Sequence, residues 1–437
     1  MTALATRPLD EVGDPSEVAV VEAVHATCRA AGVAARSLST ATRLVKDAAL
    51  EAIAQALVTH ADRITAANAE DVARERAAGI SDSLVDRLRL DGPRIDRIAA
   101  AVRSVMALPD PVGEVVRGST LPNGLRLRQV RRPLGVLGVV YEARPNVTVD
   151  AAVLALKSGN AVVLRGGSAA AATNVVLVSV IRDAVASVGL PADAVSSIDD
   201  HGRAGVRALL RARGLVDVVI PRGGADLIAT VVSTATVPTI ETGSGVVHVY
   251  VDAAADLDQA EAIVLNAKVS RPSVCNAAET LLVHAGIAEA FLPRVLGSLA
   301  AAGVRVHGDP QVMASPGLGD AVAASEADWA TEYHGLELSV RLVADIDEAL
   351  EHIRHYSTKH TEAIVTTDTR AAERFVAEVD AAAVMVNAST RFTDGEEFGL
   401  GAEVGISTQK LHARGPMGLP ELTTTTWVVT GDGHVRN

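Results

Sequence analysis

Cysteine is scarce in this chain, with two residues in 437, Cys28 and Cys275. Two thiols cannot form the disulfide framework of a small secreted protein, and the acidic N-terminal segment lacks the apolar core of a secretory signal. We therefore expect a reducing, cytoplasmic environment. Cys28 falls within an apolar helical pattern over residues 18–33, which favours a role in packing.

Aromatic residues make up only 2% of the chain, and basic residues never form a block. The formal net charge is −13, with 40 Lys and Arg against 53 Asp and Glu. Nucleic acids and anionic membranes are bound by basic patches, so we expect neither as a partner. We expect no apolar run long enough to cross a bilayer. An anionic ligand has to be held by individual arginines or by backbone amides.

The apolar residues that are present, 49% of the chain, are mainly alanine, valine and leucine. Such a composition is typical of helices packed on a parallel sheet. Residues 16–108 carry helical patterns, and from residue 134 onward short strand patterns alternate with helical ones. The alternation predicts βαβ units in an α/β fold, and the chain length predicts at least two domains, which meet near residues 241–245.

A hairpin signal, Pro122-Asn123-Gly124, lies between two β-rich runs. Another β-rich run, residues 423–429, lies near the C-terminus. A protruding hairpin joined by a terminal strand suits a contact between subunits better than a place in a core. We therefore expect a homo-oligomer, either a dimer or a tetramer.

Cys275 lies in a predicted loop between an amphipathic helix and an apolar strand. A cysteine is more often a small buried residue than a nucleophile. A thiolate is favoured, however, by nearby positive charge and backbone N–H groups, and Lys268 and Arg271 are close in sequence. The flanking Arg-Pro-Ser and Asn-Ala-Ala-Glu sequences favour the nucleophile.

The segment Arg271-Pro-Ser-Val-Cys275-Asn-Ala, followed by Glu279-Thr-Leu-Leu, resembles the gamma-glutamyl phosphate reductases, a branch of the aldehyde dehydrogenase superfamily. The likeness implies an aldehyde-dehydrogenase-like α/β fold with a Rossmann-type cofactor domain, an α/β catalytic domain and a small β oligomerisation hairpin. The implied boundaries are 1–115, 134–242 and 407–424 for the cofactor-binding domain, 243–406 for the catalytic domain, and 116–133 with 425–437 for the β element.

Glycine pairs follow two predicted strands, at Gly166-Gly167-Ser168 and at Gly223-Gly224. A Gly-Gly turn is often only a tight turn, and the usual Gly-x-Gly-x-x-Gly fingerprint is missing. The resemblance nevertheless implies an adenosine ribose at Arg165, Gly167 and Ser168, a pyrophosphate at Gly223 and Gly224, and a nicotinamide ribose at Glu332. A basic residue with a serine suits a 2′-phosphate, so NADP(H) is the expected cofactor.

The resemblance implies NADPH-dependent reduction of L-glutamyl 5-phosphate to L-glutamate 5-semialdehyde with release of phosphate, through a thioester on Cys275, in L-proline biosynthesis. Asn146 matches the side chain that donates to the oxyanion; a helix N-cap is the alternative for this residue. Arg271, Asn387 and Arg391 are the expected substrate residues. Arg271 and Lys268 are also candidates for lowering the thiol pKa or steering the phosphate, with interdomain salt bridges as the alternative for both. A transient contact with the glutamate 5-kinase is also expected.

Two alternatives stay open. Glu241 resembles the general base of aldehyde dehydrogenases that hydrolyse a thioester, which would favour oxidation of a related semialdehyde. A catalytically silent scaffold that assembles through the hairpin is the other. His352, His355 and His360 are expected on a solvated face, and no metal is expected because no recognised ligand pattern accompanies them.

Overall fold

The computed structural model describes residues 15–80, 82–142 and 144–436. The chain divides into two compact units. Unit 1 comprises Met1–Ile240, Leu400–Val404 and Gly418–Asn437, and unit 2 comprises Glu241–Gly399 and Gly405–Met417.

The described part of unit 1 begins with five helices, as the helical patterns predict: α1 (Pro15–Leu38), α2 (Arg43–Thr59), α3 (Ala61–Ala77), α4 (Asp82–Leu88) and α5 (Gly92–Ala107). The start of α5 has a clear local cause, because the Asp91 side chain accepts a hydrogen bond from the backbone N–H of Arg94 and a proline follows in the first turn. The apolar faces of these helices are buried, for example at Ile53 and Leu57. Cys28 is also fully buried, which confirms its interpretation as a packing residue.

The predicted hairpin is present as two antiparallel strands, β1 (Val115–Thr120) and β2 (Arg126–Pro133). Gly124 occupies its turn with φ of +88°, a backbone conformation that glycine adopts without steric cost.

A four-stranded parallel sheet forms the core of unit 1, in the order β5-β4-β3-β6. Its elements are β3 (Val136–Tyr141), α6 (Pro145–Lys157), β4 (Ala161–Arg165), α7 (Ala171–Ser187), β5 (Val195–Ser197), α8 (Gly202–Leu210), β6 (Val218–Arg222) and α9 (Ala225–Thr234). The chain leaves β3 toward β4 and β5 and later returns to the other side of β3 as β6. Ligands of open α/β sheets bind at such a switch point, outside the carboxyl ends of the strands.

Two helical segments in unit 1, Ser16–Leu38 and Ser168–Ser187, are long and apolar enough to cross a membrane by length and composition alone. The expectation that no apolar run is long enough to cross a bilayer is therefore wrong. Within the second segment, Leu177, Ile181 and Val185 are buried, and the core helices of globular proteins pass the same test.

Unit 2 contains a seven-stranded sheet in the order β10-β9-β11-β8-β7-β12-β13, in which every pairing is parallel. Its elements are β7 (Val247–Val251), α10 (Leu257–Val269), β8 (Ala278–His284), α11 (Ala288–Ala301), β9 (Arg305–Gly308), β10 (Ala321–Ala323), β11 (Glu337–Val343), α12 (Ile346–Tyr356), β12 (Thr361–Val365), α13 (Thr369–Glu378) and β13 (Ala383–Val386). One face packs on α10 and α11, and the other packs on α12 and α13.

Two short strands, β14 (Ile406–Ser407) and β15 (Gly415–Pro416), pair with each other in unit 2. Ser407 also bridges to Thr242, which ties residues 405–417 to unit 2, whereas the boundaries implied by the sequence placed 407–424 in the cofactor domain. The last strand, β16 (Thr423–Thr430), belongs to unit 1 and pairs antiparallel with β2.

Candidate active site

Cys275 lies on the loop that joins α10 to β8, at the carboxyl end of a capped helix. The Asp256 side chain accepts from the backbone N–H groups of Asp258 and Gln259 and so starts α10. The helix ends at Val269, and the Cys275 side chain is only partly buried. A partly exposed thiol on a loop is accessible to a substrate, as the sequence predicts.

Gly245 lies directly against the backbone of this loop. A Cβ atom on Gly245 would stand 1.5 Å from the carbonyl oxygen of Cys275 and 2.9 Å from its Cα. Only a residue without a side chain allows this approach. No sequence pattern indicates this contact, because the two residues are far apart along the chain.

Asn276, the residue after Cys275, ties the loop to a second segment of unit 2. Its buried side-chain amide donates to the carbonyl oxygen of Thr393 at 2.9 Å and, more weakly, to that of Arg391 at 3.4 Å. In return, the Thr390 hydroxyl donates to the carbonyl oxygen of Asn276 at 2.7 Å. These bonds fix the backbone that carries Arg391 to the backbone that carries Cys275.

Arg391 is the cationic side chain that this anchor places near the thiol. Its Nε donates to the Ser270 hydroxyl at 3.2 Å. Burial lowers the pKa of Arg391, and the like charge of Arg271 lowers it further, while Asp394 and Cys275 act in the opposite direction. Two guanidinium groups that repel each other beside a thiol favour the binding of an anion.

Arg391 also lines a cleft of about 320 Å³ with Ser270 and the carboxylates of Asp394, Glu396 and Glu397.

The side chain of Asn387 forms two hydrogen bonds with the backbone of Thr366, just after the paired strands β12 and β13. Its Nδ2 donates to the carbonyl oxygen of Thr366 at 2.8 Å, and its Oδ1 accepts from the N–H of the same residue at 2.8 Å. This contact holds Asn387 at a φ of +54° directly after β13. The observed bonds give the residue a part in shaping the segment that leads to Arg391.

Lys268 does not meet the expectation that it activates the thiol or steers a phosphate. The side chain is fully buried, and its ammonium forms an ion pair with the Glu279 carboxylate at 2.6 Å. A buried and paired ammonium is not available to a substrate, so this prediction is wrong. Burial lowers the pKa of Lys268 and raises that of Glu279 to about 7.

Glu332 lies in the loop before β11, in unit 2. Its side chain is 12% exposed, and Nε2 of His334 lies 3.5 Å from its Oε2. The other oxygen, Oε1, is buried and has no hydrogen-bond partner among the described residues. A buried carboxylate oxygen without a partner is unfavourable until a donor reaches it, which fits a ligand hydroxyl group.

Asn146 lies in the first turn of α6, in unit 1. The N-cap of this helix is Arg144 and Pro145 is its first residue, so the alternative that Asn146 caps the helix is wrong. The amide of Asn146 donates to Asp150 at 3.1 Å, which orients the amide and leaves its second N–H available. Burial raises the pKa of Asp150 to about 6, although Asn146 and Arg222 act to lower it.

Arg165 ends β4 and leads into the first glycine turn of unit 1. Its Nε is buried and has no hydrogen-bond partner among the described residues. The Asp199 carboxylate accepts from the N–H of Gly166 at 2.7 Å. Burial raises the pKa of Asp199, while this hydrogen bond and the charge of Arg165 act in the opposite direction. A Cβ on Gly166 would stand 2.0 Å from Nδ2 of Asn174, so the glycine that the packing requires is Gly166.

The turn that contains Gly167 and Ser168 is bonded to one of the N-terminal helices of unit 1. Gly167 is the N-cap of a single 3₁₀ turn, Ser168–Ala170. Arg74 on α3 donates to the carbonyl oxygens of Ser168 and Ala169, both at 3.0 Å. The turn is therefore fixed in place before any ligand binds.

The second glycine turn follows β6 at the switch point of the sheet. Gly224 is the N-cap of α9, and its N–H donates to the Glu142 carboxylate at 2.9 Å. A Cβ on Gly223 would stand 2.6 Å from the same carboxylate. The start of α9 therefore already binds an anionic oxygen, that of Glu142. A pyrophosphate group would use the same N–H donors. A ligand phosphate at this position has to displace the Glu142 carboxylate.

The prediction that His352, His355 and His360 lie on a solvated face is wrong for two of these three residues. His352 and His360 are buried, and burial lowers the pKa of His352 to about 2 and that of His360 to about 4. Nδ1 of His352 lies 3.1 Å from the Arg341 guanidinium, inside the layer between α12 and the sheet. Within residues 15–80, 82–142 and 144–436, no group of three or more His, Cys, Asp or Glu side chains is arranged to hold a metal ion.

Residues 10–320 match the model of the aldehyde dehydrogenase family, and the chain therefore belongs to that family. It is 66% identical to the gamma-glutamyl phosphate reductase of Kineococcus radiotolerans over 97% of this chain and 98% of that protein, and 64% identical to the one of Thermobifida fusca over 92% and 96%. The crystal structure of gamma-glutamyl phosphate reductase from Thermotoga maritima superposes with a TM-score of 0.91 at 47% identity, over 95% of this chain and all of that one. The resemblance inferred around Cys275 and the aldehyde-dehydrogenase-like α/β fold are both confirmed.

Proposed function

We propose that the protein reduces L-glutamyl 5-phosphate to L-glutamate 5-semialdehyde with release of phosphate, a step of L-proline biosynthesis. The names of the relatives support this reduction and give no support to the alternative oxidation of a semialdehyde. The structural observation that carries the proposal is the partly exposed thiol of Cys275, on a loop fixed by Asn276, with the charge of Arg391 close by.

The Cys275 thiolate attacks the acyl carbon of the substrate. A carbon–sulfur bond forms, the bond from that carbon to the phosphate oxygen breaks, and phosphate leaves with the electron pair. The amide of Asn146, oriented by Asp150, is the proposed donor to the oxyanion that forms in between. The thioester on Cys275 is easier to reduce than a carboxylate, which divides a hard reaction into two easier steps.

Arg271 and Arg391 are the proposed partners of the substrate's anionic groups, which are a phosphate and a carboxylate. Arginine binds both groups with paired N–H donors. The carboxylates of Asp394, Glu396 and Glu397 in the cleft beside Arg391 suit the substrate's ammonium group. Asn387 is proposed to shape this segment from its end.

The cofactor of this reaction is a nicotinamide nucleotide, which supplies a hydride when bound, and we propose NADP(H). Arg165, Gly167 and Ser168 are the proposed residues for the adenosine ribose and its 2′-phosphate, because Nε of Arg165 is buried without a partner among the described residues. Gly223 and Gly224 are proposed for the pyrophosphate, and Glu332 for the nicotinamide ribose.

We also propose a cytoplasmic homo-oligomer that assembles through the sheet of β1, β2 and β16. Several apolar side chains of these strands are exposed, Trp427 and Val429 among them. A transient contact with the glutamate 5-kinase is proposed on chemical grounds, because an acyl phosphate hydrolyses readily in water.

The test is a coupled assay that follows NADPH oxidation with freshly generated glutamyl phosphate. Cys275→Ala should abolish the reduction and leave NADPH binding intact, whereas Cys28→Ala should keep activity because Cys28 only packs. Substantial turnover by Cys275→Ala would contradict covalent catalysis. In the reverse direction, oxidation of the semialdehyde should require added phosphate, and oxidation without phosphate would favour an ordinary aldehyde dehydrogenase.

A further inference from the structure

Lys268 and Glu279 form an ion pair, and they lie at the two ends of the loop that carries Cys275. Lys268 lies in the last turn of α10, and Glu279 is the second residue of β8. Their charged groups are 2.6 Å apart, and the side chains are 0% and 1% exposed. A fully buried ion pair seldom adds net stability, because removing two charges from water costs about as much as their attraction returns. The stability of unit 2 alone does not explain why the pair is there.

The same pair also contacts the loop that carries Glu332. The backbone N–H of Tyr333 donates to the Glu279 carboxylate, and Nζ of Lys268 lies 5.8 Å from the centroid of the Tyr333 ring. The charge of Glu332 is close enough to raise the pKa of both Lys268 and Glu279. The two charged groups therefore connect the Cys275 loop with residues 331–335.

Tyr333 is held on its other sides as well. Its hydroxyl donates to Asp328 at 3.0 Å and contacts the Ser339 hydroxyl at 2.8 Å, and the ring of His307 stacks on it at 4.8 Å. The next residue, His334, has a φ of +55°, an uncommon backbone conformation for a residue other than glycine. In this clamped loop, Oε1 of Glu332 is buried and still has no hydrogen-bond partner among the described residues.

We infer that Lys268 and Glu279 are positioning residues that fix the loop 331–335, so that Glu332 presents a free carboxylate oxygen to a hydroxyl group of the bound cofactor. The inference rests on the proposed function, in which that hydroxyl belongs to the nicotinamide ribose. Lys268 places a positive charge near the Glu332 carboxylate, and Glu279 accepts from the backbone N–H of the next residue, Tyr333. The pair acts through Glu332 and touches no reacting atom.

The test replaces the pair by apolar side chains of similar size in the full-length protein, Lys268→Met with Glu279→Leu. Such replacements of buried ion pairs often keep the fold, so the melting temperature and the alkylation rate of Cys275 should stay close to those of the wild type. The dissociation constant for NADPH, measured by nucleotide fluorescence without substrate, should rise by about tenfold. KM for NADPH should rise with it, while KM for glutamyl phosphate should not.

Two comparisons separate positioning from general damage. Glu332→Gln should weaken NADPH binding, and adding it to the double variant should cause little further loss, because all three side chains act through one contact. The matched control is the ion pair of a fully buried lysine, Lys46, with the partly buried Asp110 in unit 1, replaced by Met and Leu. This control should leave the affinity for NADPH unchanged. If the double variant melts at a much lower temperature, Glu279→Gln, which keeps the volume, replaces it with the same expected direction.

The results distinguish a failure of the positioning role of Lys268 and Glu279 from a failure of the proposed function. NADPH affinity that is unchanged in a folded double variant, or losses that simply add to that of Glu332→Gln, would overturn the positioning role alone. A wild-type protein that binds neither NADPH nor NADH would overturn the proposed function and this role with it. A loss of affinity equal to that of the Lys46 and Asp110 control would also overturn the positioning role.

Discussion

The carbonyl oxygen of Cys275 lies 1.5 Å from the point where a Cβ atom on Gly245 would stand. A carbon and an oxygen atom that are not bonded cannot approach so closely, and the obstacle is backbone, which cannot rotate away as the end of a flexible side chain can. The position of Cys275 therefore depends on the absence of a side chain at Gly245, a residue earlier in the chain that lies against this loop.

The variant Gly245→Ala should displace the Cys275 loop. Overpacking of this kind typically costs about 1–3 kcal/mol in stability, and the turnover number should fall by far more than the melting temperature suggests, because the thiol moves. The rate of alkylation of Cys275 by iodoacetamide measures the displacement directly. Gly297→Ala is the matched control, since nothing lies within 4 Å of a Cβ at that position in α11. Full activity of Gly245→Ala would show that the loop adjusts.

Asn276→Ala should loosen the link between the Cys275 loop and Arg391. It removes the donors to the carbonyl oxygens of Thr393 and Arg391, and leaving a buried polar group unpaired costs about 1–3 kcal/mol. We expect KM for glutamyl phosphate to rise by about tenfold, with little change in NADPH affinity. Asn160→Ala also removes a buried amide, which donates to the carbonyl oxygen of Leu422 in unit 1, and should leave that KM unchanged. Equal KM values in both variants would rule out the anchoring role.

The sequence predicted the elements of the fold well, because each depends on local patterns. Asp91 and Asp256 cap helices through bonds to the next few residues, and Pro122-Asn123-Gly124 closes a hairpin. The strand β5 cannot be predicted in this way, because three residues, Val195–Ser197, are too few to show a period.

The site was only partly predictable for a related reason. Cys275 stands out because its neighbours in sequence form a motif, whereas the partners of Asn276 lie more than a hundred residues away. Lys268 shows the opposite failure. It is close to Cys275 along the chain, but the helix turns its side chain into the core toward Glu279. Closeness in sequence therefore gave the wrong role for Lys268, and no local signal pointed to Gly245.

His352 should make the protein sensitive to acid. Its pKa falls from 6.5 to about 2 on folding because the side chain is buried, so below pH 6.5 the unfolded chain binds a proton that the folded protein does not. The stability that neutral His352 provides is complete above pH 6.5 and is lost as the pH falls below that value. The slope is about 1.4 kcal/mol for each pH unit.

In His352→Gln, the loss of stability between pH 7.5 and pH 5 should be smaller than in the wild type by about 2 kcal/mol. Urea unfolding at the two pH values measures this difference, which is independent of any constant cost of the substitution. His355→Gln, at an exposed position on the same helix, is the control and should leave the difference as in the wild type. An identical acid loss in all three proteins would show that His352 titrates normally.

The sheet of β1, β2 and β16 offers a direct test of assembly. Val115, Val116, Trp427 and Val429 are between 47% and 56% exposed on its strands, and such apolar side chains on a small sheet are typical of a surface that another subunit covers. Val429→Glu places a charge there, and burying an unpaired charge opposes association. Light scattering coupled to size-exclusion chromatography should then report a smaller particle than the wild type. Val435→Glu carries the same change at a position that is 84% exposed and lies outside the strand, and it should leave the mass unchanged. A wild-type mass that Val429→Glu does not alter would place the subunit contact elsewhere on the molecule.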